Sequence, residues 1–171
     1  KYANLSASNW MSNYNIPASI QQRLLKYHNE KSIDAIKGNP YLLIGFGMSF
    51  KDADKLAYAI SGIKSNDHRR LSAALEMTLR KKVGDGHTFT SQSELKPALS
   101  KLLEDSELVS LAFKAGHIKT QYVINPETGT YHPTAQLLME NVVAKRLKAL
   151  ACQNNLYDEN ANSAYCSAVD E

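Results

Sequence analysis

Apolar residues recur at helical spacing along most of the chain, which predicts a mainly α protein. The periodic segments of the first 62 residues are short and are separated by tight turns. One segment runs from Ile16 to Tyr27, with Pro17 at a position suited to the start of a helix. A shorter helix is predicted before it, ending near Asn13, so Asn15 would adopt the left-handed backbone conformation of a hairpin turn.

A second pair of short helices follows. SIDAIKGNPY predicts a helix that is stopped at its Gly-Asn-Pro sequence. After Gly45 and Gly47 the pattern predicts a helix with one apolar face, ended by Gly62. That face consists of Phe50, Ala53, Leu56, Ala57 and Ile60. Two helix–hairpin–helix units in tandem are the simplest description of residues 1–62.

Residues 63–150 predict helices mixed with short strands. A long helix from Asn66 to Val83 precedes GHTFT, which has the character of a strand. SQSELKPALSKLLE begins like a capped helix, and SELVSLAFKAGH predicts a further helix closed by Gly116. The order helix, short strand, helix, helix is typical of the first part of a small winged-helix-like segment.

The end of that segment is predicted to be one β-hairpin and a helix. YVINPETGTYHP has strands at Tyr122–Ile124 and Thr130–His132 around a turn sequence. The last helix, Thr134–Leu150, is expected to bury its apolar residues. These are Met139, Val142, Val143, Leu147 and Leu150. Residues 151–171 are rich in Asn and acidic residues, which predicts a linker or flexible tail.

Composition and cysteine usage exclude several classes of protein. Cys152 and Cys166 are the only cysteines, and no Cys-x-x-Cys sequence occurs, so neither a disulfide framework nor a zinc site is indicated and reduced, cytoplasmic thiols are expected. No apolar run approaches the length of a membrane span. The chain begins with Lys1 rather than Met, which suggests a piece of a longer polypeptide.

The charge is unevenly distributed. Residues 1–86 carry 13 Lys and Arg against 7 Asp and Glu, a net charge of +6, whereas residues 87–171 carry 7 against 10, a net charge of −3. If either half contacts a polyanion, the first half is therefore expected to do so.

The sequence GFGMSF at residues 45–50 raises the question of phosphate binding. A dinucleotide fingerprint would need a third glycine where Phe50 stands, and the phosphate loop GxxxxGK[ST] does not occur, so a nucleotide site is disfavoured. A helix–hairpin–helix turn could instead hold a nucleic-acid phosphate with backbone N–H groups, which contact the backbone and do not distinguish bases.

The predicted DNA-binding turn consists of Gly45, Gly47, Met48 and Ser49, with Lys51 and Lys55 beside it. Glycine before a helix also permits close helix packing without any ligand. Both interpretations remain open for this second turn, whereas packing is favoured for the first.

The long helix could add a basic edge to such an interface. Arg69 and Arg80, like Arg70 and Lys81, are eleven residues apart, which places each pair on one helix face about 16 Å long. The alternative is a solvated face on which Glu76 pairs with Arg80. The favoured interpretation is the solvated face.

Other chemistry is weakly indicated. The third helix of the winged segment opens with Glu104, Asp105 and Glu107, and acidic residues there oppose binding in a DNA groove. The five histidines have no metal-ligand spacing, and for His87 a structural hydrogen bond is favoured over catalysis. No nucleophile elbow is present, so a hydrolase is not indicated.

The second unit and the long helix resemble a known family. Asn39-Pro40-Tyr41, Phe50-Lys51, Ala53-Asp54 and Gly86-His87-Thr88 stand at matching places in RecD-like superfamily 1 DNA helicases, the group of the exodeoxyribonuclease V α-chain and the TraA proteins. The resemblance spans roughly residues 10–150. It departs where the family has Gly-Ile-Gly, because this chain has Gly47-Met48-Ser49, and where Asn15 replaces the glycine usual in the first turn.

The resemblance implies a non-catalytic accessory region of an ATP-dependent helicase, which lies before a motor that would bind ATP and Mg²⁺. This chain has no ATP-binding motif, so no cofactor is expected within it. The implied partners are single-stranded or forked DNA, the motor domains of the same chain and helicase–nuclease subunits, in the cytoplasm. The alternative is a protein–protein docking module of the same helicase, and a free-standing enzyme is disfavoured.

Overall fold

The computed structural model describes the backbone of residues 2–169 and the side chains of residues 5–151. The predicted fold class is confirmed, because the protein is mainly helical and contains one two-stranded antiparallel hairpin within these residues. The N-terminal helices are α1 (Tyr2–Asn13), α2 (Ala18–His28), α3 (Ser32–Gly38), α4 (Leu42–Gly45) and α5 (Phe50–Ser61), with a 3-10 turn at Asn29–Lys31. The later elements are α6 (His68–Gly84), α7 (Gln92–Leu103), α8 (Leu108–Ile118), β1 (Tyr122–Ile124), β2 (Tyr131–Pro133) and α9 (Thr134–Val169).

Capping residues in the sequence mark where several of these helices begin or end. Ser49, Asp67 and Ser91 cap α5, α6 and α7, each accepting a backbone N–H with its side-chain oxygen. Gly62 ends α5 in the left-handed conformation. The four-residue helix α4 was not predicted, because it lies between two turn sequences and is too short to show periodicity.

Helix α6 lies at the centre of the fold. It packs against α5, α7 and α8, and residues 70–75 are all buried. Its apolar face is buried and consists of Leu71, Ala74, Leu75, Thr78 and Leu79, which lie at helical spacing. The core continues through α1 to α5 on one side and through α7, α8 and the hairpin on the other.

The hairpin and its surroundings differ in detail from the prediction. Strand β2 begins one residue later than predicted, with Ile124 opposite Tyr131. GHTFT does not form a strand; only Thr90 joins Tyr131, through a single bridge. Gly116 does not close α8 but lies inside it, and the helix ends in a turn with Thr120 in the left-handed conformation.

The last helix is longer than predicted, and the prediction that it buries its apolar residues is wrong. Helix α9 continues to Val169, through the stretch predicted to be a linker or flexible tail, and no glycine or proline occurs from Thr134 onward to interrupt it. The apolar residues predicted to be buried are 56–61% exposed, although α9 packs against β2. These are Met139, Val142, Val143, Leu147 and Leu150.

The division of the chain into segments 1–62, 63–150 and 151–171 stays a prediction. The assignment of residues 63–150 to a winged-helix-like segment also stays a prediction. Cys152 and Cys166 lie outside the side chains that the structure describes.

Candidate nucleic-acid interface

The second hairpin turn is closed by two hydrogen bonds within its own backbone. The Gly47 N–H donates to the Ile44 carbonyl at 3.1 Å, and the Met48 N–H donates to the Leu43 carbonyl at 3.1 Å. This is a Schellman motif, and it requires the positive φ of +101° that Gly47 adopts. The Met48 side chain is buried in the core, which anchors the turn.

The first hairpin turn is closed in the same way. The Asn15 N–H donates to the Ser12 carbonyl at 2.9 Å, and the Ile16 N–H donates to the Met11 carbonyl at 3.1 Å. Asn15 has a φ of +56°, so the predicted left-handed conformation is confirmed. The repeated geometry confirms that residues 11–16 and 43–48 form equivalent turns.

Two of the predicted backbone donors are therefore already hydrogen-bonded within the turn. The N–H groups of Gly47 and Met48 do not point outward, because the turn itself uses both of them. Gly45, Gly47 and Ser49 are exposed, and whether they contact DNA stays a prediction.

The free donors lie at the start of α5. Within the described part of the chain, the N–H groups of Ser49, Phe50 and Lys51 have no hydrogen-bond partner, as expected for the first turn of a helix. The positive end of the helix dipole lies at the same place. An opposing charge is also present: the exposed Asp52 carboxylate accepts the Ser49 hydroxyl at 2.6 Å and competes with any incoming anion.

Cations approach this helix terminus from two elements. Lys51 and Lys55 are exposed on α5, as predicted. Arg23 of α2 was not predicted: its two terminal guanidinium nitrogens lie 3.6 and 3.8 Å from the point that a Cβ on Gly47 would occupy. Its Nε donates to the Ser19 carbonyl at 3.1 Å, which holds the side chain in place. No local signal could identify Arg23, because it reaches the turn through the packing of the two units.

The two hairpins share a cleft of about 320 Å³. Tyr14 and Asn15 of the first turn line one side, and Met48, Asp52 and Lys55 line the other. The tandem arrangement therefore places both turns beside one concave surface.

The predicted basic edge of α6 does not form. Arg80 is exposed and pairs with Glu76 at 3.0 Å, as the solvated-face interpretation predicts, and Lys81 is also exposed. Arg69 instead joins α6 to α3, because one guanidinium nitrogen donates to the Gly38 carbonyl at 2.8 Å. Only the C-terminal half of the edge is presented to solvent.

Arg70 is enclosed within the protein. Its side chain is 7% exposed and lies beside Asp54, with Nε 2.9 Å from Oδ1 and a terminal nitrogen 3.1 Å from Oδ2. The Ser65 carbonyl accepts a further hydrogen bond at 3.1 Å. Arg70 therefore joins α5 to α6 and is not a surface cation. This burial could not be predicted from the sequence. Helical spacing shows which residues share a face, but not which face a neighbouring helix covers.

Tyr41 completes this buried group. Its hydroxyl donates to the Asp54 carboxylate at 2.5 Å, and its ring stacks on Phe50 with 5.8 Å between centroids. Burial raises the pKa of Tyr41 far above its ordinary value, and the hydrogen bond to Asp54 raises it further. Burial lowers the pKa of Arg70, but the hydrogen bonds and charge of Asp54 outweigh this and raise it overall.

Asp67 forms a second ion pair, at the start of α6. Its carboxylate accepts the Arg69 Nε at 3.1 Å and a terminal nitrogen at 2.9 Å, and it also caps the helix by accepting the Arg69 N–H at 2.8 Å. Hydrogen bonding from the Arg69 side chain lowers the pKa of Asp67, while burial opposes the shift.

Replacement of Asp67 by asparagine tests this pair, because asparagine is an equally good helix cap but carries no charge. We expect the variant to unfold about 0.5–1 kcal/mol more easily at pH 7, since the pair is only partly buried. Because folding lowers the pKa of Asp67, its carboxylate contributes stability at pH values above 3.8, its ordinary pKa. That contribution is lost as the pH falls through the pKa of the folded protein. Urea unfolding at pH 7 and pH 2.5 should therefore show the difference shrinking in acid. Asp34→Asn, at an exposed site in α3, is the control, and a constant difference at both pH values would contradict the assignment.

The remaining candidates are exposed. Glu104, Asp105 and Glu107 lie before α8 with their side chains in solvent, and whether this helix enters a DNA groove stays a prediction. His87 is exposed, and its backbone N–H donates to the Lys82 carbonyl at 3.0 Å at the end of α6.

Neither a triphosphate cradle at the turn nor a metal cluster is seen among the described residues. The Gly45–Ser49 turn cannot cradle a triphosphate, because its central N–H groups are paired within the turn. Among the described residues, no three His, Cys, Asp or Glu side chains lie close enough to share a metal ion. In the same part of the chain, none of the helices has the length and apolar character needed to cross a bilayer.

Comparison with known proteins agrees with the paired hairpins. No curated protein matches the chain. The family model described as the ATP-dependent RecD2 DNA helicase HHH domain matches residues 3–89, just over half of the 171 residues. The matched range contains both hairpin turns and the whole of α6. The predicted resemblance to a RecD-like helicase is thus confirmed, and the chain belongs to the family of ATP-dependent RecD2 DNA helicase HHH domains.

Proposed function

We propose that this chain is a non-catalytic accessory domain that contacts the DNA backbone weakly and without sequence preference. The start of α5 carries the proposal, since free N–H groups at Ser49, Phe50 and Lys51 lie beside the cations of Lys51 and Arg23. N–H groups and flexible cations contact phosphates, which are the same for every base sequence. The Asp52 carboxylate beside them favours weak binding over tight binding.

The proposal extends to the parent protein. It would be an ATP-dependent DNA helicase of the exodeoxyribonuclease V α-chain type, acting in the cytoplasm in repair or recombination with nuclease partner subunits. ATP and Mg²⁺ would bind to its motor domains, and this domain would guide single-stranded or forked DNA toward them. The family match supports the helicase, and the positive charge of residues 1–86 supports the DNA contact.

Charge reversal at the start of α5 tests the DNA contact. We expect Lys51→Glu and Arg23→Glu each to weaken binding of labelled oligonucleotides several-fold, and to reduce the slope of log affinity against log salt by about 1, because each removes a phosphate contact. Fluorescence anisotropy at several salt concentrations measures both quantities.

Lys96→Glu is the matched control, because it makes the same charge change on an exposed site of α7 that does not line the cleft between the hairpins. If Lys51→Glu, Arg23→Glu and Lys96→Glu all lower the DNA affinity equally, the effect is one of net charge. That result would count against a DNA contact at the hairpin. ATP hydrolysis by the chain should be absent; measurable turnover would show a site that this assignment lacks.

Docking onto the motor domains is a second candidate function. One observation favours it: the apolar face of α9, from Leu138 to Leu150, is exposed. Covering that face would remove a large apolar area from water. Absence of DNA binding even at low salt would end the first proposal and leave this one.

A further inference from the structure

A cleft of about 310 Å³ lies between α5 and the C-terminal end of α7. Lys51, Lys55 and Tyr58 line it from α5, and Lys101 and Glu104 line it at the end of α7. The α5 residues are spaced i, i+4 and i+7, so they form one continuous face of the helix. The cleft is within the size range of binding pockets, about 300–1,000 Å³.

The charges of the cleft favour an anion. Asp54 and Arg70 also line it, but they pair with each other and their charges cancel locally. Three lysines remain, and in the described part of the chain none of them has a carboxylate within ion-pair distance. Only Glu104 opposes them, which leaves an excess of two positive charges around the cleft.

Tyr58 adds an aromatic surface to these charges. Its side chain is 48% exposed, although tyrosine rings usually gain stability by packing. Buried Phe50 and half-buried Leu102 form the apolar floor of the cleft. A half-exposed ring between lysines is the arrangement with which proteins stack one nucleobase and hold the phosphates on either side of it.

We propose that this cleft binds single-stranded DNA, with a base stacked on Tyr58 and its phosphates contacted by Lys55 and Lys101. The inference rests on the proposed function, which it deepens by naming the kind of strand. Bases in a duplex are stacked on their neighbours and cannot reach the Tyr58 ring, so duplex DNA can use only the lysines. Lys51 belongs both to the start of α5 and to the cleft, and it therefore connects the hairpin contact with α7.

The test compares a labelled oligothymidine with a duplex of equal length. We expect Tyr58→Leu to weaken binding of the single strand about fivefold or more, because it removes one stacked base, and to leave duplex binding within about twofold. Tyr58→Phe keeps the ring and should bind the single strand like the unaltered protein. Lys101→Gln should reduce the salt slope for the single strand by about 0.7. Lys96→Gln, on the same helix but outside the cleft, should not change it.

The outcomes separate this inference from the hairpin contact. If Lys51→Glu weakens both DNAs while Tyr58→Leu and Lys101→Gln change neither, the hairpin contact stands and the cleft proposal is overturned. If Tyr58→Leu lowers the affinity for the single strand and for the duplex equally, the cleft proposal is also overturned. If the unaltered protein binds neither DNA, both proposals fail together. Thermal unfolding followed by circular dichroism checks that each variant is folded.

Discussion

Replacement of Arg70 by methionine should lower the free energy of unfolding by about 3–5 kcal/mol. Methionine keeps most of the length of the side chain but leaves the Asp54 carboxylate without its guanidinium partner. The pair is enclosed, with side-chain exposures of 7% and 16%, so water cannot replace the lost hydrogen bonds well. The Ser65 carbonyl loses a donor as well. Urea unfolding at pH 7 measures the change.

Two further variants show whether the loss comes from the unpaired charge. Arg80→Met removes an exposed pair with Glu76 and should cost no more than about 0.5 kcal/mol. Adding Asp54→Leu to Arg70→Met removes the stranded carboxylate and should recover part of the stability, because the two changes are coupled. A loss below about 1 kcal/mol for Arg70→Met would show that the enclosed pair is not a structural link.

The buried group of Tyr41, Asp54 and Arg70 explains why the second hairpin turn keeps its orientation. Tyr41 lies just before α4 and Asp54 on α5, so the two hydrogen-bonded side chains hold both sides of the second turn. Arg70 then ties this turn to the central helix. Any ligand that contacts the start of α5 meets a rigid element and not a mobile loop.

Local features could be predicted from the sequence because their causes are local. The end of α5 follows from Gly62, the end of α3 from the extended backbone of Asn39 before Pro40, and the turn at Asn15 from the backbone freedom of asparagine. The apolar face of α6 was also predictable, since five apolar or small residues at helical spacing must face a core.

The candidate site could be predicted only in part, because it depends on which elements meet. Lys51 and Lys55 were found because they adjoin the turn in sequence, whereas Arg23 reaches the same turn from another helix. Arg70 was misplaced because its side chain faces Asp54 of α5 and not solvent. Apolar spacing in α9 predicted burial, but spacing shows only that a face is suited to a partner and not that one is present.

Replacement of Gly116 by alanine should destabilise the protein by about 1–3 kcal/mol, because it overpacks the contact between α8 and the central helix. A Cβ at this position would lie 2.1 Å from Leu75 Cδ2 and 3.0 Å from the Gln121 side-chain oxygen. Leu75 is fully buried, so its side chain can move only by displacing other core residues. Thermal or urea unfolding measures the loss.

Gly84→Ala is the matched control, since it makes the same substitution in a helix where, apart from the adjoining backbone of that helix, no atom lies within 4 Å of the new Cβ. It should be neutral or should stabilise the protein by up to about 1 kcal/mol, because alanine favours helix more than glycine. Combining Gly116→Ala with Leu75→Val makes room for the new methyl group, so the double variant should lose less than the sum of the two single losses. Additive losses would show that the cost of Gly116→Ala does not arise at the Leu75 contact. A Gly116→Ala variant as stable as the unaltered protein would show that α8 can move away from α6 at no cost. The close approach of these helices would then not depend on glycine.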